Sequence, residues 1–157
     1  MDVRENLSDS LTVANEQRVE TRKGLTMLAR ILILVAGDAV VFLIFSAIGR
    51  RSHNEAAGLD ALWQIALTAA PFALGWFLVS PFVGAFRRAL EIRPRKMITR
   101  TALAWLAAWP VGLLVRGIVE QKVPPLSFAL VTLISNMILL VLWRGLLSFG
   151  LSRLKRS

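Results

Sequence analysis

The sequence predicts an all-α fold, a polytopic four-helix transmembrane bundle with proline-kinked helices. Three observations predict it. Of 157 residues, 55% are hydrophobic and only 18% charged, and the mean hydropathy is +0.60, far from the mixture of a water-soluble domain. The apolar residues come in long blocks rather than in the interrupted stripes that build a soluble core. Four of these blocks reach the roughly 20 residues that a helix needs to cross a hydrocarbon layer.

Residues 1–26 mix acids and bases with few large apolar groups, which predicts a cytoplasmic polar tail, disordered or lying as a surface helix. The membrane domain is expected over 27–150, with spans at 28–48, 62–86, 97–115 and 126–149. The first span is too long for a secretory signal and follows a polar stretch, so it reads as a retained span. A short external loop, NEAAGLD, separates the first two spans. The sequence VPP at 123–125 stops the third helix and opens the fourth. Residues 151–157 form a basic tail. There is no cysteine, which removes disulfides and thiolate chemistry. Tyrosine is absent too, leaving Trp63 and Trp143 as expected interface anchors; Trp76, Trp105 and Trp109 fall too deep for that role.

Basic residues resist translocation and so set orientation. Fourteen of the 19 fall on the side holding both termini and the loop between the second and third spans; Arg50, Arg51, Arg116 and Lys122 fall on the other. Both termini are therefore expected in the cytoplasm, with the chain threaded through the cell membrane. The net charge of +9 is explained by this topogenic bias and carries no nucleic-acid signature. The loop at 87–100, RRALEIRPRKMITR, sets six bases against one acid, which suits anionic lipid head groups as well as ordinary anchoring.

Counting along the spans puts Asp38, Gly75, Ala108 and Asn136 near mid-depth. An aspartate there costs about 2.5–3.5 kcal/mol on insertion scales, so Asp38 should face protein and be paired or neutral. Asn136 is the first expected partner, through its amide. Arg116 is the second, at the end of a small-residue ridge of Ala104, Ala108 and Gly112. Arg144, next to Trp143, reads as a residue snorkelling to the inner interface. Pro71 with Gly75, Pro81, and Pro110 predict kinks in the second and third helices. Arg50, Arg51 and His53, in GRRSH, form a candidate outer-mouth cluster.

A single histidine without cysteine makes no ordinary zinc site, and no catalytic triad or phosphate-binding glycine loop is present. The expectation is no metal, no cofactor and no enzymatic activity. The segments GDAVVFLIF, GRRSH, TAAPFALGWF, WPVGLLVR and LWRG together make the chain resemble a family of small bacterial and archaeal membrane proteins known as domain of unknown function 3054. That resemblance implies a membrane fold over roughly residues 28–148 and carries no activity. Two functions are expected from the residues: binding or transport of a small polar solute, ion or proton near Asp38, or a structural or assembly role beside a partner subunit. The transport expectation calls for a homo-oligomer, since four helices leave little internal room.

Overall fold

A computed structural model describes residues 3–51, 59–87 and 93–154, with side chains described for 16–17, 26–49, 60–87 and 93–153. Four helices account for it: α1 Val3–Arg51, α2 Leu59–Val79, α3 Pro94–Glu120 and α4 Leu126–Leu154. No strand occurs among the described residues. Residues Met1–Val35 and Ala36–Ser157 form separate compact units. The first is the N-terminal part of α1, helical from Val3. The second contains the bundle.

Each helix holds a stretch long and apolar enough to cross a membrane: Thr26–Gly49, Asp60–Val79, Pro94–Glu120 and Leu126–Arg153. The 27 residues of α3 correspond to about 40 Å of helix, more than a hydrocarbon layer requires. Within Ala36–Ser157 the partition of side chains is that of a membrane protein. Leu43, Ile44, Leu74, Leu78, Leu103, Leu106, Ile134, Ile138 and Leu142 are exposed, whereas Asp38, Ser46, Ser80, Thr101, Thr132, Asn136, Arg144 and Ser148 are buried. An apolar exterior of this extent would associate in water. It is the surface a multi-pass membrane protein presents to lipid.

The sequence reading carries the second span to Phe86, but α2 ends at Val79. Pro81 is the reason, and it lies outside the helix rather than kinking it. It has no N–H to continue the ladder, and the chain closes a turn instead, with Gly84 N–H donating to Pro81 O at 2.9 Å and Ala85 N–H to Ser80 O at 3.0 Å. Gly84 takes φ +78, a left-handed conformation that glycine adopts without steric cost. Pro71 and Pro110 lie inside α2 and α3, which run through them as single helices. The expected kinks find no support there.

The third helix opens with Pro94 in its first turn and closes on Gln121, whose φ of 55 forms a left-handed cap and directs its N–H to Gly117 O. Lys122 N–H also reaches Gly117 O, at 3.2 Å. These bonds satisfy carbonyls at the helix end and reverse the chain sharply enough for α4 to begin at Leu126.

α2 and α3 meet backbone to backbone. A side chain at Gly75 would come within 2.8 Å of Gly112 N and 2.9 Å of Ala108 O, and one at Gly112 within 2.8 Å of the Phe72 ring. The small-residue ridge read from the sequence is thus the surface on which α2 lies, with Ala104, Ala108 and Gly112 all buried. An aromatic cluster sits against this crossing. Trp105 packs on Phe42, Phe72 and Trp76 with ring centroids 5.6, 6.4 and 6.4 Å apart, and Phe72 also meets Phe128 at 6.0 Å.

Candidate functional site, a buried ion pair

Two dipeptides set the site. Gly37-Asp38 in α1 meets Trp143-Arg144 in α4. A Cβ at position 37 would collide with the Trp143 indole, its Nε1 lying 2.6 Å away, so only glycine lets the ring come this close to α1. That approach brings the next residues together. Arg144 Nε donates to Asp38 Oδ1 at 2.9 Å, and Arg144 Nη2 donates to Asp38 Oδ2 at 2.5 Å. The pairing is bidentate, the geometry in which a guanidinium matches a carboxylate best. Both side chains have no solvent exposure.

The rest of the pair's surroundings come from α2 and the turn after it. Trp76 Nε1 donates to Asp38 Oδ2 at 2.9 Å. Arg144 Nη1 donates to Ala85 O at 2.7 Å, a carbonyl presented by the turn that Pro81 and Gly84 create. The guanidinium lies between two aromatic faces, 4.9 Å from the Trp76 ring centroid and 4.6 Å from that of Phe86, where the ring quadrupoles add attraction for a cation. The 80–86 turn is also held from α3, by Arg100 Nη1 donating to Val83 O at 3.2 Å.

Both partners expected for Asp38 are engaged elsewhere. Asn136 is buried, but its Nδ2 donates within its own helix to Thr132 O at 3.1 Å, and its Oδ1 has no hydrogen-bond partner among the described residues. Arg116 pairs with Glu120 at 2.6 Å, one turn along α3, and stacks on Phe128 at 4.3 Å. The reading of Arg144 as a snorkelling residue is corrected: it is fully buried. Helical Cα–Cβ bonds tilt toward the helix N-terminus, so a long side chain at 144 naturally points back along α4, away from its C-terminal end. Trp143 is likewise no interface anchor, since its indole packs on the core and its N–H is buried without a partner. The side chains of Arg50, Arg51 and His53 lie outside the described residues.

The deep tryptophans supply polar handles inside the bundle. Trp105 Nε1 donates to Leu133 O at 2.9 Å, and Trp109 Nε1 lies within hydrogen-bonding distance of Ala129 O at 3.1 Å and Thr132 Oγ1 at 3.2 Å. Not every buried polar atom is so provided for. Among the described residues, Ser46 Oγ, Ser80 Oγ, Thr101 Oγ1, Asn136 Oδ1 and Trp143 Nε1 are buried and have no hydrogen-bond partner. Each such group costs about 1–3 kcal/mol if left unmade. No three His, Cys, Asp or Glu gather among the described residues, so no metal-ligand set is assigned.

A family model described as "Protein of unknown function (DUF3054)" matches residues 35–147. The chain belongs to this family. The matched stretch of DUF3054 contains every residue of the pair's surroundings, from Gly37 and Asp38 through Trp76, Ala85 and Phe86 to Trp143 and Arg144. None of the curated proteins and no solved structure matches the chain.

Proposed function

We propose that this DUF3054 protein conducts a proton or a small polar species through the bundle, with the Asp38–Arg144 pair as the element that must open. One observation carries the reading: a buried ion pair inside four apolar helices, accompanied by buried polar atoms that have no hydrogen-bond partner among the described residues. Ionisable groups within membrane spans are expensive to keep, and those that persist commonly mark ion pathways and proton relays. In a four-span chain α1 and α4 run in opposite senses. Ser46, eight residues beyond Asp38, and Asn136, eight residues before Arg144, then lie on the same side of the pair. Polar atoms in buried sites are normally satisfied by protein or water, so this side of the pair suits hydration.

The surrounding proposals follow from charge. Both termini face the cytoplasm of a cell membrane, as the distribution of basic residues favours, and the loop at 87–100 contacts anionic lipid head groups. Assembly as a homo-oligomer would widen the internal space. The protein is no enzyme in this reading.

The test is Asp38→Asn in proteoliposomes loaded with a pH-sensitive dye. Wild type should pass protons after an acid pulse and the variant should not. Equal fluxes for both, above protein-free vesicles, contradict a role for Asp38.

A second reading has its own observation. The pair joins α1, α4 and the turn after α2, as a fastener would, which suits a structural or assembly subunit. It expects no flux from wild type and a stoichiometric membrane partner on mild purification.

A further inference from the structure

We infer that Arg144 is an anion-binding group whose resting ligand is the chain's own Asp38 carboxylate, and that the species moved together are a proton and a small planar monovalent oxyanion. This rests on the proposal that Asp38 exchanges a proton. It adds what must accompany that proton.

A closed, buried site must stay balanced in charge. Among the described residues, Asp38 and Arg144 are the only fully buried ionisable groups. When hydronium gives a proton to an Asp38 carboxylate oxygen, one hydronium O–H bond breaks, a carboxyl O–H bond forms, water leaves, and the carboxylate's negative charge is lost. Arg144 keeps its positive charge. The groups facing it are the Trp76 and Phe86 rings and the Ala85 carbonyl from α2 and its turn, and the buried polar group of α3 is the Thr101 hydroxyl. None carries a negative charge. A buried, unpaired guanidinium is strongly disfavoured, so protonation of Asp38 is coupled to arrival of an anion at Arg144. The site is neutral before the exchange and neutral after it.

Geometry then narrows the anion. Three donors converge where the Asp38 oxygens lie: Arg144 Nε, Arg144 Nη2 and Trp76 Nε1. Nε and Nη2 form the planar fork that pairs bidentately with two oxygens of one planar group. Trp76 supplies a third donor to the same face. Nitrate or a small carboxylate such as formate reproduces what Asp38 presents, whereas gluconate carries the same head group on a six-carbon chain too large for a closed site. A spherical halide can accept from the fork but cannot offer two oxygens, and a dianion leaves an excess negative charge. Among the described residues the hydroxyls of Ser46, Ser80 and Thr101 and the Trp143 N–H are also buried without a hydrogen-bond partner.

The experiment uses the full chain in proteoliposomes with internal pH dye, acid-pulsed in sodium nitrate or in sodium gluconate. Nitrate is the probe because its acid is fully dissociated and carries no proton across lipid unaided. The expected result is protein-dependent proton uptake in nitrate, its loss in gluconate, and no acceleration by a negative-inside potassium diffusion potential, since the moving pair is neutral. Uptake that is equal in both media and driven by voltage means that the proton travels alone. That overturns the inference and leaves the proposed function standing. No proton uptake in either medium overturns the inference and, with it, the proton-conducting form of the proposed function. A second measurement needs no transport: nitrate or formate should raise the thermal unfolding temperature of Asp38→Gly more than gluconate does at equal ionic strength, and should do less for Asp38→Asn, whose amide still fills the position. Equal responses to all three anions in Asp38→Gly overturn the assignment of Arg144 as an anion site.

Discussion

Arg144→Met should destabilise the protein by about 3–5 kcal/mol, measured by denaturant unfolding in detergent or bicelles. Methionine keeps most of the stem volume, so the loss comes from charge and hydrogen bonding. It strands the Asp38 carboxylate at a site with no solvent exposure, deprives Ala85 O of its donor and removes the cation between Trp76 and Phe86. The same change at Arg116 supplies the contrast. Its partner Glu120 is one turn away and more than a third exposed, and pairs of that kind contribute about 0–1 kcal/mol. Arg116→Met should therefore stay within that range, although both arginines sit in apolar helices and both form ion pairs. Burial makes the difference between them.

Gly75→Val should destabilise by about 1–3 kcal/mol or more, the cost of overpacking a tight core. The first added carbon already meets backbone atoms of Gly112 and Ala108 at 2.8 and 2.9 Å, and backbone cannot turn aside as a side chain can. α2 and α3 must separate. The damage also reaches the ion pair, because Trp76, the next residue on α2, donates to Asp38. The same unfolding assay reads the effect, and Gly49→Val serves as the control. Among the described residues nothing lies within 4 Å of a Cβ built at Gly49, so that variant should be near neutral.

The spans were legible in the sequence because long apolar blocks and their basic flanks are properties of composition and order alone. The small-residue ridge was legible too, since Ala104, Ala108 and Gly112 recur at a spacing that places them on one helix face. Asp38 stood out for the same reason any carboxylate in an oily run does. Its partner was not legible. Counting from span ends treats side chains as points at their Cα depth, and on that measure Asn136 is level with Asp38 while Arg144 is not. A guanidinium on a long stem, tilted toward the N-terminus of its helix, closes that gap. A signal did exist in the motif LWRG, where Trp143 and Arg144 stand side by side as Gly37 and Asp38 do in α1. A glycine next to a buried acid and a tryptophan next to an arginine are complementary in shape and charge. Pairing them requires knowing that α1 and α4 touch.

The end of α2 at Val79 is hidden in the sequence for a different reason. Residues 80–86 continue the apolar run with Phe82, Val83, Ala85 and Phe86, and hydropathy does not distinguish a helix from a closed turn. The distinguishing residues are Pro81, which lacks a donor, and Gly84, which accepts a positive φ. Their consequence is functional, because the turn they make carries Ala85 O to Arg144.

The central claim is that Asp38 and Arg144 act as one buried neutral unit, and the most direct test is a double-mutant cycle with Asp38→Asn, Arg144→Gln and the double variant, read by unfolding free energy in bicelles. The predicted result is a coupling energy of at least about 2 kcal/mol, with the double variant more stable than the sum of the single losses implies. Additivity within about 0.5 kcal/mol would show that the two side chains do not interact, and would contradict the account.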